Sequence, residues 1–213
     1  RSRLAPMQRA GQIALDVLDP ASSEQLHAAI NQAYDIIIYF GHALHHRTRG
    51  TRLVLEHSVT RKAELYDSNE LVRRLQQANP RPRLLILVAC NTAAQHEPQA
   101  VTADVQMQVP TSLAAQLVQQ SGIPAVIAMQ RLVDLSVARM FTYHLSEYLL
   151  RNGVIDTAVS MVRQRIYTPT SVQWSTPVLY MRNRDGRIFA PNARLEYIQS
   201  ILDNPQFTRW QTD

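Results

Sequence analysis

Six consecutive apolar residues, Leu84-Leu85-Ile86-Leu87-Val88-Ala89, run into the single cysteine of the chain, Cys90, and then Asn91-Thr92. An apolar run of that length reads as a strand buried on both faces, the mark of a parallel sheet covered by helices. It delivers the thiol to the carboxyl edge of the sheet, where open α/β sheets gather their ligands. A second run, Ile36-Ile37-Ile38-Tyr39-Phe40, ends the same way in Gly41-His42. Two strands therefore bring a thiol and an imidazole to one edge, the two parts of an activated nucleophile.

The 213 residues suit one domain, large enough to bury roughly 70% of the surface of the unfolded chain. With 46% hydrophobic and 18% charged residues the composition is that of an ordinary globular protein. No apolar stretch approaches the ~20 residues of a membrane span, and the basic N-terminus lacks the apolar core of a signal peptide. One cysteine forms no internal disulfide, which points to a reducing cytoplasm. The net charge of +5 is scattered rather than gathered into a patch, so the chain lacks the footprint of a nucleic-acid binder. Because the sequence starts at Arg1 without methionine, a piece of a longer polypeptide is expected.

Strands are expected at residues 12–18, 36–40, 52–56, 84–89 and 125–129, with a terminal hairpin from 177–181 and 187–189. Helices are expected at 22–33, 67–78, 112–120, 134–150, 156–167 and 193–202. Ser22 or Ser23, Asp67, Ser112 and Asp134 or Ser136 are the candidate starts. Residues 42–50 read as a polar loop, and 91–110 as a long one of the kind that carries function. The alternation of strand and helix implies a mostly parallel sheet between helical layers.

A thiol with a pKa of about 8.5 is only a few per cent thiolate at neutral pH, and an adjacent imidazole raises that fraction. Backbone N–H groups at the strand ends, those of Cys90 and Ala43, are placed to receive an oxyanion. Taken alone, Cys90 also fits a small buried apolar residue and His42 an ordinary loop histidine.

The stretch Tyr34-Asp35-Ile36-Ile37-Ile38-Tyr39-Phe40-Gly41-His42 resembles the histidine motif of the CHAT peptidases, bacterial relatives of caspases and separase. Leu85-Ile86-Leu87-Val88-Ala89-Cys90-Asn91-Thr92 resembles their cysteine motif. Further similarity lies in Ser112-Leu113-Ala114-Ala115-Gln116-Leu117, in the segment from Gly122 to Gln130, around Phe141, and in Trp174-Ser175-Thr176-Pro177-Val178-Leu179-Tyr180. The similarity spans about residues 12–190. It implies one caspase-like α/β/α sandwich over residues 1–213, with His42 as base and Cys90 as nucleophile. The implied activity is peptide-bond cleavage without metal or cofactor, with protein substrates and regulatory or sensor partners. Joined to such partners, the domain would be a bacterial defence effector; a catalytically silent scaffold is the alternative.

Two departures from the family pattern bear on that expectation. Ala43 stands where the family usually has glycine. A further strand and helix that family members carry before residues 12–33 is not found, unless residues 1–10 substitute for it. Asp134 lies where relatives build the pocket for the residue before the cut, and a carboxylate there favours Arg or Lys. The simpler reading, and the favoured one, is that it caps the helix that follows. His42, His45 and His46 have a spacing compatible with zinc, but no fourth ligand stands nearby, so no metal is expected. Asn91 and Thr92 are expected to shape the turn at the thiol.

Overall fold

The computed structural model describes residues 4–46, 50–89, 92 and 112–190. In chain order the elements are α1 (Ala5–Arg9), α2 (Ser23–Ile30), β1 (Ile36–Phe40), β2 (Ala43–His46), β3 (Gly50–Glu56), β4 (Ala63–Asp67) and α3 (Ser68–Gln77). They continue with β5 (Leu84–Val88), α4 (Leu113–Gln116) running into a π-helical turn at Leu117–Ser121, β6 (Ala125–Met129), α5 (Leu135–Asn152), α6 (Ile155–Ile166) and β7 (Pro177–Met181).

The unbroken apolar runs form the main sheet, in the order β1-β5-β6-β7. β1, β5 and β6 are parallel and β7 is antiparallel to β6. Every residue of β5 and β6 is buried, as the continuous apolar pattern requires of strands covered on both faces. Leu85, Leu87, Val126 and Ala128 pack on one side with α3, α4 and the inner residues of β3. Leu84, Ile86, Ala125, Ile127 and Met129 pack on the other with Phe141 and Leu145 of α5 and Val159 and Val162 of α6. The result is a three-layer α/β/α sandwich. Each core side chain of this size contributes about 1.5–3 kcal/mol relative to an exposed one, so the two central strands anchor the fold.

The helix starts follow local hydrogen bonding. The Ser22 hydroxyl accepts from the Gln25 N–H (3.3 Å), the Asp67 carboxylate from the Asn69 N–H (2.7 Å) and the Ser112 hydroxyl from the Ala115 N–H (3.2 Å). Glu70, three residues after Asp67, turns to Arg73 and Arg74 instead of reaching back to the cap, so the capping box is only half made. α5 stops at Gly153, whose φ of +68° and 2.2 Å approach of a would-be Cβ to the Phe189 carbonyl oxygen leave room for glycine alone.

Four expectations are corrected. Residues 12–18 alternate in hydropathy, yet they form no strand. They have no ladder partner, and alternation alone does not hold a strand. Among the described residues β1 is paired on one side only, by β5, and residues 5–9, expected as a possible substitute strand, are helical. Residues 42–50, read as a loop, contain β2, which joins β3 and β4 in a second, antiparallel sheet of order β2-β3-β4. The terminal hairpin does not form: β7 pairs with β6, and Arg187 makes an isolated bridge to Val154. The helix expected at 193–202 lies outside the described residues.

Candidate active site

Phe40 stands opposite Val88 in the β1–β5 ladder, and the Gly41 N–H continues it by donating to the Val88 carbonyl (3.1 Å). The chain leaving β1 toward His42 and the chain leaving β5 at Ala89 therefore start side by side at the carboxyl edge of the sheet. Cys90, Asn91 and all of 93–110 lie outside the described residues, and His42 is the member of the expected pair that is described.

His42 is exposed, and its backbone is held from two directions. Its carbonyl accepts the Val54 N–H (2.9 Å) and lies 2.8 Å from the Tyr39 hydroxyl. The same hydroxyl is 2.7 Å from the Val54 carbonyl and 3.1 Å from the Val54 nitrogen. One phenol thus ties the His42 loop to the middle of β3. Burial pushes its pKa up to about 12, outweighing the opposite pull of its contacts to Val54 and His42, so it remains a neutral donor at physiological pH. Tyr39 and Gly41 occupy the same face of the strand, and the ring crosses the space a Gly41 side chain would take. A Cβ at Gly41 would stand 2.4 Å from the phenol oxygen and 2.6 Å from Cζ. Among the described residues no side chain orients the His42 ring.

Ala43 opens β2 opposite Leu53 and is not in a left-handed conformation. The methyl group that replaces the expected glycine hydrogen therefore brings no backbone strain. The Val54-to-His42 bond makes 42 and 54 a hydrogen-bonded pair, so the next pair, Ala43 and Leu53, is a non-hydrogen-bonded one. Its N–H groups point away from the partner strand. β2 is the edge of its sheet, and the Ala43 N–H is left unused by β3.

Beyond the thiol, Thr92 is fully buried and pins three elements together. Its hydroxyl donates to the Ala89 carbonyl (3.0 Å) and accepts the Met129 N–H (3.2 Å), and its carbonyl accepts the Ala114 N–H (3.2 Å). Ala89 and Thr92, which bracket Cys90 and Asn91 in sequence, are thereby held in place. Replacing Thr92 by Val leaves the Ala89 carbonyl and the Met129 N–H unsatisfied. The expected loss is about 1–3 kcal/mol in a urea titration, with Thr92→Ser retaining most of the stability.

Asp134 occupies the N-cap position of α5, but its carboxylate makes no capping hydrogen bond, which corrects that reading of it. Its N–H donates to Gln173 Oε1 (2.8 Å) while its carboxylate accepts from Gln173 Nε2. The exposed carboxylate is thus held by the turn that precedes β7, on the far side of β5 from His42. Trp174, in that same turn, packs edge-on against Tyr167 (5.6 Å) and into the α5–α6 core.

Sequence reasoning missed Tyr39 and Gln173. The available signal for Tyr39 was a tyrosine two residues before a glycine at the end of an otherwise aliphatic strand. Gln173, 39 residues from Asp134, carries no local signal.

The comparison with curated proteins finds no match. The family model described as the CHAT domain matches residues 1–207 of the 213. That match covers the sandwich, both strand ends at the sheet's carboxyl edge and the second sheet behind His42, and the chain belongs to the CHAT family of caspase-like peptidases.

Proposed function

We propose that this domain is a cysteine endopeptidase in which Cys90 is the nucleophile and His42 its base. The observation that carries the reading is the β1–β5 register, with Phe40 opposite Val88 and the ladder continued by Gly41. It starts the two motif segments side by side on the ligand-binding edge of an α/β sheet. In the proposed reaction His42 takes the Cys90 proton and the thiolate sulfur attacks the scissile carbonyl. The Ala43 and Cys90 N–H groups receive the oxyanion. Collapse breaks the C–N bond, and His42 returns its proton to the leaving amine. Water, deprotonated by His42, then hydrolyses the thioester and regenerates the thiol. Every proton moves between sulfur, imidazole, amine and water, so the cycle needs no metal or cofactor.

The extended backbone of Ala43 and an N–H that β3 does not use support the oxyanion role. Asp134, held by Gln173 beyond the end of β6, is the proposed acceptor for an Arg or Lys before the cut. On the same reading the domain is a regulated effector acting on protein substrates. The test is digestion of a denatured protein by the purified chain. Cleavage is expected, with its complete loss in Cys90→Ala; cleavage that survives this substitution contradicts the assignment.

A further inference from the structure

The strand order assigns a direction to a substrate lying on this edge. His42 follows β1 and Asp134 follows β6, so they flank the end of β5 from opposite sides. A base that returns its proton to the leaving amine must stand beside the residue after the cut. The segment on the carboxyl side of the cut therefore leaves over β1 and meets the β2–β3–β4 sheet.

That sheet presents two cross-strand rows on its outer face. Inner positions Leu53 and Leu55 are buried in the core, so the alternate positions of β3 face outward. His42, Val54 and Leu65 form one row; Leu44, Arg52 and Asp67 form the next. Leu44 and Leu65 are 53% and 45% exposed, so the surface is an open, partly apolar one that also carries the Arg52 guanidinium and, across from it, the Asp67 carboxylate. Residues on the diagonal of an antiparallel pair lie roughly 7–8 Å apart, which puts Arg52 within a side chain's length of His42.

Arg52 has no ion-pair partner among the described residues, and its Nε is buried without a hydrogen bond. The carboxylates on its face are engaged elsewhere. Asp67 caps α3 through the Asn69 N–H, and Glu56 faces Arg61 (3.1 Å). A half-buried guanidinium without a partner among the described residues is costly unless an acceptor comes from beyond them.

We propose that this face is the docking surface for the substrate segment following the cut, and that Arg52 selects an acidic residue there, within the first three positions. The inference rests on the peptidase reading. Charge complementarity commits the occupant to a polypeptide with Asp or Glu on the carboxyl side of the scissile bond, its neighbouring side chains resting on Leu44, Val54 and Leu65.

The experiment digests a denatured whole-cell protein extract with the purified protein and identifies the new N-termini by mass spectrometry. Cys90→Ala is the blank, and Arg52→Gln and Arg52→Lys are the test variants. Cut sites of the wild type are expected to be enriched in Asp or Glu at the first three positions after the cut. Arg52→Gln is expected to lower that enrichment roughly fivefold, the size of one partly exposed ion pair, while Arg52→Lys retains part of it. Cys90-dependent cutting with no acidic preference, or with one that Arg52→Gln leaves intact, overturns the inference alone. No Cys90-dependent cutting at all overturns the peptidase reading and this inference with it.

Discussion

Replacing His42 by Ala is expected to lower kcat/KM at pH 7 by about 10²–10⁴, the ordinary contribution of a positioned general base. The loss has two sources. Cys90 loses the group that takes its proton, and the leaving amine loses its acid. The exposed His42 ring is not part of either core cluster, and its backbone bonds to Val54 and Tyr39 do not involve the side chain. Folding stability should therefore change by less than about 0.5 kcal/mol, as for a surface substitution. A raised pH should recover part of the rate, because hydroxide then does what the imidazole did. A rate that falls together with the unfolding midpoint would instead mark His42 as a structural residue.

Gly41→Ala is expected to be a damaging change for a single methyl group, because it acts beside the candidate base. The new Cβ would fall 2.4 Å from the Tyr39 hydroxyl, so the phenol must leave its place. When it moves, the His42 and Val54 carbonyls lose their shared donor and the loop is no longer tied to β3. Overpacking of this kind costs about 1–3 kcal/mol. A displaced base loses activity beyond that, since a misplacement of about 1 Å costs on the order of 10²-fold. The double variant Gly41→Ala with Tyr39→Phe separates the causes. Removing the hydroxyl relieves the closest contact but leaves Cζ 2.6 Å from the new Cβ, so stability should recover only in part, while activity stays low because the clamp is still missing. Full recovery of activity would show that Tyr39 has no part in positioning His42.

The centre of the fold was legible because β5 and β6 are buried on both faces, and burial of that kind leaves an uninterrupted apolar run that needs no context to recognise. α3 and α5 were legible for a related reason, since capping residues and the glycine stop at Gly153 mark their ends locally. The second sheet was not. Ala43-Leu44-His45-His46 and Ala63-Glu64-Leu65-Tyr66-Asp67 are short and mixed, and they are strands because β3 stands between them and supplies the ladder. Residues 12–18 show the converse: a good alternating pattern that stays irregular without a partner. The expected pair of His42 and Cys90 was legible as two strand endings. The β1–β5 register, which pairs Phe40 with Val88, was not, because registry is a property of two segments 48 residues apart. Tyr39 and Gln173 escaped for the same reason, acting on Val54 and Asp134, which lie 15 and 39 residues away in sequence.

The most direct test of the Cys90–His42 pair follows alkylation of the one cysteine by iodoacetamide against pH, in the wild type and in His42→Ala. With a single thiol in the chain, all reactivity reports on Cys90. The account predicts a reactive thiolate that persists below pH 7 in the wild type. In the variant the titration should return toward the free-thiol value of about 8.5. Superimposable curves near 8.5 in both proteins would contradict it.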